Sequence, residues 1–281
     1  MASIESARIR PHPHLALSPN PLRALAGSIG YLGGVAILAT AALRAVLRPA
    51  DDSPPLLRET ARQLDRLLKM GFPLVAMVHV GMGSFLAMQA YFGATFVEGI
   101  GPVVGVGLVR NLASLLSGFI LSGLVAARHV ADFRGPAGDD PAHAPRMAAS
   151  RVAAAMVAGP ILAAWGSAVG IVVGWLVAES MMGVTWPAFF DLFIEMLWVR
   201  DVVGLVVKGA LFGGLAAVVA CHEGMRRPDE GDDRPDPIGS AACRAACLAG
   251  VAILVLNAGW FLLIYHAGPA FGPTVMDPPT G

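Results

Sequence analysis

Arg110 and Asn111 interrupt an apolar, glycine-rich stretch from Gly101 to Ala127 that otherwise carries no charge. The stretch is long enough to cross a bilayer. An arginine at mid-membrane costs about 3 kcal/mol on insertion scales, so a chain that keeps one shields it in a helix bundle or a wet cavity, where it serves transport or ligand binding. Roughly nine residues at about 1.5 Å each separate Arg110 from the nearer end of the stretch, too deep for comfortable snorkelling. Its candidate counter-charges are Glu98, in the short connection before the stretch, and carbonyl groups of the glycine-rich backbone. Elsewhere at membrane depth the polar residues are few. His79 reads as a packed, neutral histidine, because no second His, Cys or carboxylate lies at helical metal-ligand spacing. Gln89 and Tyr91 fall near the outer end of their span and suit either a cavity wall or an interface anchor. Lys208 either snorkels or joins the nearby Arg200 and Asp201.

Several chemistries are excluded. The only lysines, Lys69 and Lys208, lie outside any Gly-x-x-x-x-Gly-Lys-Ser/Thr loop, so ATP is not hydrolysed by that route. No Gly-x-Ser-x-Gly, His-Glu-x-x-His or paired intramembrane aspartates occur, which leaves lipid hydrolase and intramembrane protease arrangements unsupported. Cys243 and Cys247 share a helical face and Cys221 precedes His222, but no tight ligand motif forms. No catalytic residue, metal site, cofactor or nucleic-acid partner is expected.

These residues need a scaffold, and composition says which kind. With 56% hydrophobic residues, 14% charged residues and a mean hydropathy of +0.64, the 281-residue chain is too apolar for one soluble domain. The expectation is an all-α polytopic membrane protein. Five spans emerge, near Pro73–Phe92, Gly101–Ala127, Val152–Ala178, Val202–Cys221 and Ala245–Tyr265. With a cytoplasmic N-terminus, they place seventeen of the twenty Lys and Arg residues inside. A sixth span over Ala24–Leu43 would strand Arg8, Arg10 and Arg23 outside, so that segment is expected to be an interfacial or re-entrant elbow helix. The C-terminus then lies outside.

The expected organisation is a disordered cytoplasmic tail (1–21), elbow and amphipathic helices (22–70), a five-helix membrane domain (71–267) and a flexible tail (268–281). Leu56, Leu57, Leu64, Leu67 and Leu68, interleaved with charged residues, make Leu56–Met70 an amphipathic surface helix. Trp186, Phe189, Phe190, Phe193 and Trp198 predict a short helix at the outer interface. Gly166, Gly170 and Gly174 form a small-residue face for close helix packing, within the subunit or across a dimer.

Five stretches, in order, resemble the MlaE/YrbE-type permeases of bacterial ABC lipid transporters associated with MCE-domain proteins. Phe85-Leu-Ala-Met-Gln-Ala-Tyr91 is similar to the family's Leu-x-x-Gln-Gly-Tyr ending of the first span. Leu108-Val-Arg-Asn-Leu112 resembles its Leu-Val-Arg-Glu-Leu segment, and Trp186-Pro-Ala-Phe-Phe190, Lys208-Gly-Ala-Leu-Phe-Gly213 and Cys221-His-Glu-Gly-Met225 resemble later ones. The resemblance covers about Arg58 to Tyr265. It implies a permease subunit that forms a homodimer or heterodimer, pairs with cytoplasmic ABC ATPase subunits, meets an MCE-domain lipid-binding protein outside, and moves phospholipid or another hydrophobic lipid through the bacterial inner membrane.

By carry-over, Met88, Gln89, Tyr91, Glu98, Arg110, Asn111 and Leu112 are substrate-binding candidates, and Arg128, Asp132 and Arg134 are candidates for coupling to the ATPase. Two departures stand out. Asn111 occupies the usual glutamate position, and the connection from Arg128 to Arg151 lacks the family's longer acidic coupling helix. Prolines 136, 141 and 145 disfavour a helix there. Two other functions fit the sequence: a structural or regulatory permease-like subunit with weakened coupling, or a lipid-modifying membrane enzyme using His79, Glu98 and Arg110.

Overall fold

A computed structural model describes residues 21–47, 56–93, 100–135, 144–226 and 238–266. All regular secondary structure among them is helical. Helix α1 (Pro21–Leu47) starts on a proline, whose missing N–H is no loss in a first turn. Helix α2 (Leu56–Gly93) runs unbroken for 38 residues, about 57 Å at 1.5 Å per residue, well beyond a hydrocarbon core of about 30 Å. Its buried stripe, Gln63, Leu67, Gly71, Val75, His79, Gly83 and Ala87, keeps one four-residue interval throughout. The helix crosses the expected boundary at residue 70 without a break. The amphipathic segment and the first span are one helix, because the core-facing stripe does not change phase between them.

The second span opens with two π-helical turns, π1 (Pro102–Val106) and π2 (Leu108–Leu112), and continues as α3 (Ala113–Arg134). Helix α4 (Ala144–Met182) follows, then the short α5 (Trp186–Glu195), α6 (Val199–Met225), α7 (Ile238–Phe261) and a closing π turn, π3 (Leu262–His266). Helix thus extends over 128–134 and 144–151, contrary to the expectation drawn from prolines. Pro145 sits in the first turn of α4, where proline is tolerated, and Pro136 follows the C-cap Gly135, where a helix has already ended. Pro136 and Pro141 themselves lie outside the described residues.

Close backbone approach at glycine organises the bundle. A Cβ at Gly83 of α2 would strike the Gly170 carbonyl of α4, and one at Gly159 of α4 would strike the Gly209 carbonyl of α6. The Gly166/Gly170/Gly174 face is spent inside the subunit: a Cβ at Gly166 would lie 2.6 Å from the His79 ring, and Gly174 packs on Val104. Helix α3 fills the space beside α6 and α7, with Gly118 against Phe212 and Ile253. Among the described residues six helices are long and apolar enough to cross a membrane, and α1, over Gly27–Arg44, is one of them. Length and composition therefore do not separate α1 from the other five. Its packing differs, for Leu38 joins a buried cluster with Phe133, Ala144, Ala148, Val218 and Cys221, all near one end of the bundle. That end, where α3 stops and α4 starts, is the α3–α4 end. The opposite one, which holds α5, is the α5 end.

Candidate functional site

Asp201, three residues after the helix-capping Trp198, is fully buried in the first turn of α6. A carboxylate there accepts the Trp198 backbone N–H at 3.1 Å and lies in the favourable field of the helix N-terminus. Arg110, carried on π2, donates to both of its oxygens, Nε to Oδ1 at 3.0 Å and Nη2 to Oδ2 at 2.9 Å. The Tyr265 hydroxyl of π3 donates to Oδ1 as well. Four donors from three segments saturate one carboxylate, whose capacity is about four hydrogen bonds. A π turn widens the helix locally and occurs often at functional sites, and here two of the joined segments are π-helical.

Aromatic rings surround the pair. The Arg110 guanidinium lies 4.8 Å from the Trp198 ring centroid and 5.4 Å from that of Tyr265, and Arg200 stacks on the same two rings at 3.7 and 4.8 Å. Such contacts are worth about 0.5–2 kcal/mol each, rising with desolvation. Lys208, two turns deeper on α6, has no exposed surface; its ammonium donates to the Arg110 carbonyl and sits 5.7 Å from the Phe261 ring. The cluster therefore sets Arg110, Arg200 and Lys208 around the single Asp201 carboxylate. This arrangement can hold an anionic group and is poorly suited to general acid–base work, since the carboxylate is fully engaged.

Some sequence candidates meet here and others do not. Arg110 stands at the centre, with a different counter-charge from those proposed: Asp201 takes that place, while Glu98 lies outside the described residues. Asn111 and Leu112 adjoin on π2, half-buried, and the Asn111 Oδ1 has no hydrogen-bond partner. Met88, Gln89 and Tyr91 are exposed on the outward side of α2, whose inner side buries Ala87 and Ala90. They do not join the Arg110 cluster within this chain. His79 bonds the Val75 carbonyl at 2.8 Å between α2 and α4, a different interface from that of Arg110. Among the described residues no contact joins His79 to Arg110, and Glu98, the third member of the lipid-modifying enzyme's site, lies outside them.

At the α3–α4 end, Asp132 accepts Arg151 Nη2 at 2.8 Å, and Arg151 also donates to the Met147 carbonyl. Arg128 and Arg134, half-buried on the same last turns of α3, complete the trio of coupling candidates. A cavity of about 250 Å³ lies apart from the Arg110 cluster, between π1, the Gly183 turn and α5; Ile100, Thr185, Ala188 and Leu192 line it.

Sequence reasoning named Asp201 only as a neighbour of Lys208, missed it as the partner of Arg110, and missed Tyr265. A usable signal existed: Trp198-x-x-Asp201 has the spacing of a helix cap, and a deep arginine needs a carboxylate at its own level of the membrane.

Comparison with known proteins agrees with this architecture. Residues 142–263 match the family described as Permease MlaE. The chain is similar to a probable ABC transporter permease protein of Rickettsia typhi, 26% identical over 241 residues covering 80% of this chain and 89% of the relative. A probable ABC transporter permease protein of Rickettsia conorii is 26% identical over 243 residues with the same coverage, and one of Rickettsia prowazekii is 26% identical over 68% of this chain and 78% of its own length. The family match over residues 142–263, the polytopic helical bundle and the relatives' shared description converge: the chain is similar to the MlaE-type permeases of ABC transporters.

Proposed function

We propose that this permease moves lipid, with an anionic headgroup received near Arg110 and Lys208 and the work supplied by a separate cytoplasmic ATPase. The observation that carries the reading is a fully buried Lys208 donating to the Arg110 backbone carbonyl beside the single Arg110–Asp201 ion pair, an excess of positive charge at membrane depth that an anionic headgroup would neutralise. Exposed Met88, Gln89 and Tyr91 on α2 suit the wall of a lipid path completed by a second subunit. An MCE-domain protein at the α5 end would receive or deliver the lipid.

In vesicles holding the permease with its ATPase, Lys208→Met is expected to lower ATP-dependent transfer of a fluorescent anionic phospholipid about tenfold, as loss of a charge-assisted contact worth about 1.4 kcal/mol would. Thermal stability should change little, because the change removes a buried charge along with its hydrogen bond. Unchanged transfer would overturn the assignment.

The same reading puts the α3–α4 end in the cytoplasm of a bacterial inner membrane, with α1 as an elbow along that face. The positive residues and the restricted contacts of α1 support it. Cys243 is exposed near the start of α7 and Cys221 is buried. A membrane-impermeant maleimide is therefore expected to label Cys243 in inside-out vesicles and not in intact cells. Labelling in intact cells would reverse the orientation.

A permease-like subunit with weakened coupling is the second reading. Only residues 136–143 separate Gly135 from Ala144, too few for a coupling helix of several turns. Failure to retain an ATPase on purification would favour it.

A further inference from the structure

Four consecutive residues near the end of α6 are together set against four other helices. Cys221 is buried in a cluster with Ala144 and Ala148 of α4. His222 meets α1: its ring stands edge-on to Tyr31 at 4.9 Å, and a Cβ added to Gly34 would lie 2.5 Å from its Cε1. Glu223 accepts Arg244 Nε of α7 at 2.8 Å. Gly224 meets α3, where a Cβ would lie 2.8 Å from Phe133 Cβ and 3.2 Å from the His129 carbonyl. One helical turn thus touches four elements, which is possible because consecutive side chains leave a helix about 100° apart.

Glu223 is the unusual member. It has no exposed surface, one of its oxygens lacks a hydrogen-bond partner, and its guanidinium partner is 40% exposed. Its polar neighbours are Arg244 of α7 and the Tyr31 hydroxyl of α1, and so sparse a set returns less than the desolvation of a buried carboxylate costs, so it is a poor stability device. It is well placed for another task. Helices that approach at glycine or at a single ion pair shift as rigid bodies between alternative packings, and a residue shared by several of them ties their movements together.

We propose that the Cys221–Gly224 turn is the junction through which motion at the α3–α4 end reaches α1, α6 and α7, with Glu223 as its positioning residue. The inference rests on the reading of the chain as an ATPase-driven lipid permease. It assigns a part to the Cys-His-Glu-Gly stretch, and it offers a coupling route for a chain with so short an α3–α4 connection.

The test uses the whole permease–ATPase complex in vesicles of phosphatidylethanolamine and phosphatidylglycerol, with ATP hydrolysis and transfer of a fluorescent phospholipid followed together. Glu223→Gln keeps the side-chain shape and removes the charge. Gly34→Ala pushes α1 from His222 without touching a charge. Both are expected to leave hydrolysis near its original rate while lipid moved per ATP falls about fivefold, within the range produced by mutations along coupling networks. Gly33→Ala, with nothing within 4 Å of the new methyl group, is expected to leave the ratio unchanged. An unchanged ratio in both test variants overturns the inference alone, as does a proportional fall of both rates with loss of the assembled complex. If the unaltered protein assembles with no ATPase, the permease reading itself falls, and the inference with it.

Discussion

Asp201→Asn is expected to destabilise the protein by about 3 kcal/mol, the low end for breaking a buried ion pair, because Arg110 keeps 28% of its side chain exposed and can draw in some water. The substitution preserves shape and removes the charge to which Arg110, Tyr265 and the Trp198 backbone all donate. Three segments, π2, α6 and π3, lose their common anchor. For a chain of this size the thermal midpoint in detergent should fall by about 6–12 °C. A midpoint equal to the unaltered protein would show that the carboxylate anchors nothing.

Replacing both partners, Arg110→Met with Asp201→Leu, is expected to recover most of the lost stability, since an apolar pair of similar volume carries no desolvation cost. The double variant also separates structure from transport. If it folds and assembles yet transfers no anionic lipid, the charges serve the ligand; full transfer would confine them to architecture.

Gly159→Ala should cost about 3 kcal/mol, the upper part of the overpacking range, because the methyl group meets the Gly209 carbonyl of α6, which is backbone and cannot rotate away. Gly83→Ala, against the Gly170 carbonyl, belongs to the same class. In contrast, Gly81→Ala and Gly123→Ala place their methyl groups in open space and should stabilise slightly, by up to about 1 kcal/mol of helix propensity. Thermal midpoints of the four variants in one detergent would decide the matter. Similar shifts in all four would mean that α4 is not gripped at glycine.

The two pairs also show why some features were legible in the sequence. That Gly166, Gly170 and Gly174 permit close packing follows from their spacing alone, but the choice between an internal and an intersubunit partner does not. The partner turned out to be His79 and Gly83 of α2, with Val104 and Leu108 of the π turns. The short aromatic helix was legible from its sequence and occurs as Trp186–Glu195, although Phe189 and Phe193 are buried, with the Phe193 ring against Gly105 and the Phe189 carbonyl against Gly101. The amphipathic helix runs into the first span without a break, because a change in surface polarity does not interrupt a backbone whose buried stripe keeps its register.

The sequence by itself determined that the chain is a helical membrane protein, roughly where its spans lie, that Arg110 needs shielding, and which family it resembles. These follow from hydropathy, charge and local motif, which act over one or two helical turns. Only the tertiary structure decided that Asp201, 91 residues away, neutralises Arg110, and that Tyr265 and Lys208 close the same cluster. It also decided that Met88, Gln89 and Tyr91 face outward, and that one turn of α6 joins four helices. Partner choice across such distances depends on how the helices rotate and cross, and that is set by the summed close approaches of glycine to backbone throughout the bundle, which no local pattern encodes.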